Sequence, residues 1–282
     1  MKSLDVKRAC GHAAAMWDPQ QYLRNAGPRL RPVLDLLAHV PDHLPGHPQV
    51  RIADLGCGPG GPSEPLARRW PRAHITGYDN SPEMLAEAAA HTRTGRLDFA
   101  HADLAHWRPD PAENFGLLFS NAALQWVPGH QHAFPDWLAA LPSGGVLAFQ
   151  VPGNFHAPSH TLLAELRDSP RWRGRVGAAS RTDAVLTPAA YAELLAPLGP
   201  DGCDVDVWET TYLHRLTGPD PVLEWTKGTA LRPVLERLAD DPDARDRFLA
   251  EYAEALREAY PADADGTTAF PFRRVFVIAA KR

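Results

Sequence analysis

Over its first half the chain alternates short apolar runs with amphipathic stretches. Residues 50–55, VRIADL, are too few for a helix and end on a glycine-rich turn, so they predict a buried strand. Comparable runs follow at 73–79 (AHITGYD), 96–103 (RLDFAHAD), 114–122 (NFGLLFSNA) and 144–153 (GGVLAFQVPG). Helical patterns fall between them at about 62–70, at 81–92 and at 135–142. In the second of these, Ser81 suits the N-cap, Pro82 the first helical position and Glu83 the positive end of the helix dipole. Five strand–helix units in succession predict an α/β, Rossmann-like sheet, mostly parallel, with helices on both faces.

Beyond residue 153 the alternation stops. Helical candidates at 159–169 and 187–198 flank an arginine-rich stretch from Arg167 to Arg181. Residues 203–216, CDVDVWETTYLHRL, show the period-two pattern of a long strand, and 272–281, FRRVFVIAAK, predict another. Between them, 221–240 and 244–260 read as two amphipathic helices forming a lobe. The organisation expected is a tail and helical cap over 1–49, a ligand-binding core over 50–152, and over 153–282 the rest of the sheet with helical insertions on its carboxyl edge. Open sheets bind ligands at that edge.

Composition narrows the class. The 282 residues are 44% hydrophobic and 22% charged, as in soluble globular proteins. No run approaches the roughly 20 apolar residues that span a bilayer, and the first residues lack the apolar centre of a signal peptide. Cys10, Cys57 and Cys203 are too widely spaced for a metal or disulfide framework, which points to the reducing cytoplasm. A net charge of -5 without a basic block argues against nucleic acid or membrane partners and for small molecules.

The candidate chemistry starts at the glycine turn. Gly56, Gly58, Gly60 and Gly61 follow the first strand, and Asp79 ends the second, where a carboxylate takes ribose hydroxyls. The GxGxG spacing is commoner for S-adenosylmethionine than for a dinucleotide, whose pyrophosphate favours a direct view of a helix N-terminus. Asp54 beside the turn suits the positively charged amino-acid end of a sulfonium cofactor. Asp79 is placed for the ribose, with Asn80 next to it a further cofactor candidate, Asp103 for the adenine amino group, Leu104 and Met84 for the base, and Asn121, after the fourth strand, where donors to the cofactor's amino-acid end and to a substrate converge. Asp103 fits a helix cap as well, Met84 a core side chain and Asn121 a turn.

Several stretches together resemble the class I S-adenosylmethionine-dependent methyltransferases and, more narrowly, the trans-aconitate methyltransferases. The generic part is DLGCGPG, Asp79 and the Gly144-Gly145 pair. The specific part includes WDPQQYL (17–23), RLRPVLDLL (29–37), SNAALQWVPGH (120–130), FQVPGNFHAPSH (149–160), WTKGTALRPVL (225–235) and PFRRVFVIAAKR (271–282). The resemblance implies a seven-stranded sheet with an antiparallel final strand, S-adenosylmethionine as cofactor, and methyl transfer to a carboxylate of trans-aconitate. The family's turn usually continues with Asn, an aliphatic residue and Thr. Here Gly61, Pro62 and Ser63 stand there, with Ser63 able to replace the hydroxyl and Pro65 requiring a late helix start.

A carboxylate acceptor is ionised at neutral pH and needs no general base, so no catalytic acid–base residue is expected. Three substrate carboxylates call for arginines and polar rings. The candidates are Arg29, Arg31, Arg232, Arg273, Arg274, Tyr22, Tyr212 and His130, with Trp17 and Tyr22 as an amino-terminal lid and Trp126 with Gln125 shaping the pocket. Adjacent strand residues point oppositely, so one of Arg273 and Arg274 is expected to face away. No metal cluster is apparent. The alternatives are a methyltransferase of the same fold for another small metabolite, and a non-catalytic S-adenosylmethionine-binding module. Convergent arginines favour the first reading, an apolar aromatic pocket the second, and a site closed at the methyl group the third.

Overall fold

The computed structural model describes residues 30–46, 49–177 and 185–282. Its elements run α1 (Arg31–His39), β1 (Arg51–Leu55), α2 (Ser63–Arg69), β2 (His74–Asp79), α3 (Pro82–Ala88), β3 (Leu97–His101), β4 (Phe115–Asn121), α4 (Phe134–Ala140) and β5 (Val146–Pro152). There follow α5 (Pro158–Asp168), α6 (Arg173–Val176), α7 (Pro188–Leu195), β6 (Cys203–Leu216), α8 (Pro221–Lys227), α9 (Arg232–Arg237), α10 (Pro242–Ala259) and β7 (Thr268–Lys281). The strands form one seven-stranded sheet in the order β3-β2-β1-β4-β5-β7-β6. β1 to β5 pair in parallel, and β7 lies antiparallel to both β5 and β6. The seven-stranded Rossmann-like architecture with its antiparallel final strand is therefore present.

The apolar runs are buried on both faces of the sheet, as parallel strands covered by helices must be. On one face Ile52, Ile75, Leu117, Phe119 and Phe276 pack with Val33, Leu36 and Leu37 of α1 and Leu66 of α2. On the other, Leu118, Leu147, Phe149 and Val275 pack with Phe134 and Trp137 of α4 and Tyr191 and Leu195 of α7. Ser81 caps α3, its Oγ accepting from Met84 N at 3.2 Å. Pro65 falls in the first turn of α2, where its missing N–H leaves no intrahelical bond unmade.

The polar linker between β3 and β4 holds turns and a short 3-10 segment at Pro111–Glu113 and no α-helix. The structure differs from the sequence pattern in two places. The amphipathic stretch 221–240 is two helices rather than one, because α8 stops at Gly228 and Pro233 can occupy only the first turn of α9. β7 begins four residues before the apolar run that predicted it, at Thr268, and pairs with β6 along its whole length. Only residues 274–280 of β7 pair with β5. The projecting end of the β6–β7 hairpin carries Phe270 and Phe272 into a third core with Trp172, Val222, Phe248, Tyr252 and Tyr260. This lobe stands over the carboxyl end of β5.

Candidate active site

The glycine turn grows directly out of β1. Gly56 and Gly58 have φ of +77° and +55°, left-handed values that glycine adopts without a Cβ penalty. A Cβ on Gly56 would come within 2.2 Å of Ala123 Cβ, so the loop after β4 closes against it. A Cβ on Gly58 or Gly61 would meet nothing within 4 Å. The main chain at those two residues faces open space, where a bound molecule can approach it.

Three acidic and amide side chains frame that space. Asp79 Oδ2 accepts from Gly58 N at 2.9 Å and Oδ1 from Ser81 N at 2.9 Å, which fixes the carboxylate beside the turn with a lone pair on each oxygen to spare. Asp54 is fully buried beneath the turn, and Ser63 Oγ donates to its Oδ2 at 2.6 Å, so Ser63 supplies the hydroxyl expected of it. Burial lifts the Asp54 carboxyl to about 7, the Ser63 hydrogen bond opposing and the Asp79 charge adding to the rise. Asp54 Oδ1 and Asn121 Oδ1 are buried acceptors without a protein partner. Two orphaned acceptors and a clamped carboxylate beside bare glycines suit a molecule bringing an ammonium group and hydroxyls. The residues present thus fit S-adenosylmethionine.

The remaining cofactor candidates among the described residues lie along the same carboxyl edge, around the switch point beside β1 and β4. Leu104 is buried and approaches Gly56, with Cδ1 3.7 Å from the position a Cβ would take there. Met84 is half-buried on α3, and Asn80 is exposed. Asp103 is exposed and held below the usual carboxylate range by hydrogen bonds from Ala105 N and from His106. Trp126 is 60% exposed at the rim of the neighbouring cavity. Trp17, Tyr22 and Arg29 lie outside the described residues.

That cavity, of about 440 Å³, adjoins the turn at Pro62 and Asn121 and runs between the ends of β4 and β5 and the helical lobe. Among the described residues its charged lining is Arg167 of α5 and Arg274 of β7, with no aspartate or glutamate. Arg274 is 8% exposed, donates from Nη1 to Gln150 Oε1 at 3.0 Å and lies 4.7 Å from the Phe272 ring centre. Arg167 is 7% exposed, and desolvation together with the Arg237 charge lowers its affinity for a proton, Asp168 opposing. Asn154, Gln125 and His160 add polar groups, and burial pushes the His160 imidazole down to about 4, leaving it neutral at pH 7.

Other residues singled out from the sequence lie elsewhere, and these placements correct it. His130 is buried on the α7 face, its Nε2 2.8 Å from Tyr191 Oη, with burial lowering its pKa to about 4. Tyr212 is buried on the α1 face and donates to Asp35 Oδ2 at 2.6 Å. Arg31 is largely exposed, 3.8 Å from Asp35, and Arg232 is paired with Glu236 on the surface of α9. Arg273 points away from Arg274 and donates to Gly153 O at 2.7 Å and to Glu209. Arg274 alone of the expected substrate arginines lines the cavity among the described residues. Arg167 was missed, although His160, Leu163, Ala164 and Arg167 recur at helical spacing and line the cavity together.

Comparison with known proteins agrees with this geometry. A family profile described as a methyltransferase domain matches residues 52–145. The trans-aconitate 2-methyltransferase of Streptomyces coelicolor is 59% identical over 273 residues, covering 95% of this chain and 88% of the relative. That of Streptomyces avermitilis is 59% identical over 275 residues, covering 95% and 98%. Among solved structures, phosphoethanolamine N-methyltransferase 2 of Haemonchus contortus, in complex with S-adenosyl-L-methionine, matches with a TM-score of 0.50 at 17% identity, covering 95% of this chain and 60% of that one. The structural likeness establishes the fold, and the near full-length identity extends past it into the substrate-side insertions. The chain belongs to the trans-aconitate 2-methyltransferase family of S-adenosylmethionine-dependent enzymes.

Proposed function

We propose that the protein transfers the methyl group of S-adenosylmethionine to a carboxylate of trans-aconitate, giving the monomethyl ester and S-adenosylhomocysteine. The observation that carries this reading is the cavity beside the glycine turn, whose only charged lining residues among those described are Arg167 and Arg274. A guanidinium group presents only donors and a positive charge, so a cavity lined by two of them suits a polycarboxylate better than an apolar acceptor.

Bound S-adenosylmethionine would supply an electrophilic methyl group, the acceptor carboxylate oxygen giving the electron pair of the new bond while the old bonding pair stays with sulfur, and because that oxygen is already ionised at neutral pH no proton has to be removed. Asp54, Asp79 and Asn121, with the bare main chain at Gly58 and Gly61, would hold it. On the acceptor side the work is placement. Gln150 and the Phe272 ring hold the Arg274 fork in one orientation, which favours paired hydrogen bonds to a carboxylate. Leu163, Ala164, Phe155, Trp225 and Phe272 keep water from the bound acid and strengthen each charge contact. His160, held neutral by burial, adds a polar ring to the lining without adding charge.

The test is methyl transfer from labelled cofactor to trans-aconitate, cis-aconitate, citrate and a quinone precursor, with products identified by mass. A base-labile monomethyl ester formed fastest from trans-aconitate is the expected result. Transfer to the quinone precursor alone would overturn the assignment.

A further inference from the structure

The cavity holds two kinds of donor. Arg167 and Arg274 are charged, while Asn154 is neutral, 4% exposed, and has both Nδ2 and Oδ1 buried without a hydrogen-bond partner. Leaving both ends of a buried amide unpaired is unfavourable, and native structures rarely do so away from a ligand site. Its main chain is fixed on either side: Gly153 N donates to Arg273 O at 2.8 Å and Ala157 N to Asn154 O at 2.9 Å. Asn154 thus sits two residues past the end of β5, in a held turn, with its amide beside the cavity.

An arginine fork engages both oxygens of a carboxylate and draws charge from them. That is a good way to anchor an anion and a poor way to present a nucleophile. The Asn154 amide has one donor end and one acceptor end. Its Nδ2 can hold a single oxygen, and its Oδ1 repels a second, so the other oxygen of the same carboxylate keeps its lone pairs and most of its charge. Only interactions that favour the transition state over the bound acid raise kcat.

We propose that Asn154 is a catalytic residue holding the carboxylate that becomes methylated, and that Arg167 and Arg274 hold the carboxylates that do not react. This division of roles rests on the polycarboxylate reading above. It makes Arg167, contributed by the helical lobe, a determinant of substrate choice, and Asn154 a determinant of rate.

The experiment pairs steady-state kinetics with calorimetric binding of trans-aconitate to the enzyme loaded with S-adenosylhomocysteine. Asn154→Ala is expected to lower kcat about 10- to 100-fold while changing the dissociation constant less than about threefold. Arg167→Gln is expected to weaken binding about 10- to 100-fold, with kcat at saturation within about threefold. Asn154→Ser keeps a polar group at the buried position and should show the alanine variant's split at smaller size, which guards against a folding defect in that variant. Loss of binding with kcat retained in both Asn154 variants, or unchanged kinetics in both, overturns the division of roles. A wild-type enzyme that leaves trans-aconitate unmethylated overturns the substrate reading itself.

Discussion

At the scale of single residues, Asp54 is the most consequential group. Its carboxyl is lifted from 3.8 to about 7 by burial, so the folded protein binds a proton that the unfolded chain has already released over that interval. The stability this confers is complete below the unfolded value and is lost as pH rises from about 4 to about 7, on the order of 4 kcal/mol in the cofactor-free protein. Asp54→Asn removes the titration while leaving an acceptor for Ser63. Its gain in Tm over wild type should therefore be larger at pH 8 than at pH 5, while affinity for S-adenosylmethionine falls; an equal gain at both pH values would show that Asp54 is already ionised at pH 5 in the folded protein and that burial does not raise its pKa. Gly58 makes the complementary case. A Cβ there meets open space, so Gly58→Val should fold, with a backbone strain of about 1–2 kcal/mol at its positive φ, yet lose cofactor binding measured by calorimetry. Gly56→Val, colliding with Ala123, should fail to fold stably.

At the scale of elements, caps and periodicity carry most of the information. Ser81, Pro82 and the alternation along 203–216 specify α3 and β6 through local chemistry that needs no knowledge of the rest of the chain. The glycine turn and Asp79 were legible for the same reason, since a positive φ and a strand-end carboxylate leave a sequence signature. What was not legible depends on which face an element buries. His130 and Tyr212 look like ligand groups in a list of polar residues, but each completes a core on a different side of the sheet, His130 against Tyr191 and the Val127 carbonyl and Tyr212 against Asp35. Arg167 looked like part of a charged connector, and only the packing of α5 against α10 turns its face inward. His130 gives a direct check: His130→Ala should cost about 2–4 kcal/mol of stability by thermal denaturation and leave the KM for the acid unchanged. Burial holds its pKa, and that of His160, at about 4 against 6.5. Both therefore contribute stability above pH 6.5 that is lost as pH falls toward 4.

At the scale of the whole molecule, the site is a joint between two constructions. The parallel sheet supplies the glycine turn, Asp79 and Asn121, as its switch point requires. The β6–β7 hairpin outruns β5, carries Arg274 and Phe272 beyond the sheet's centre, and seats the lobe that brings Arg167. A protein of net charge -5 thereby offers a polyanion a cavity free of acidic side chains among its described lining residues. The most direct measurement is a crystal structure of the enzyme with S-adenosylhomocysteine and trans-aconitate together. The expected density places the acid in this cavity, with carboxylates on Arg167 and Arg274 and a third beside the cofactor. Trans-aconitate bound away from both arginines, with the cavity filled by ordered water, would contradict the assignment of this cavity as the acceptor site.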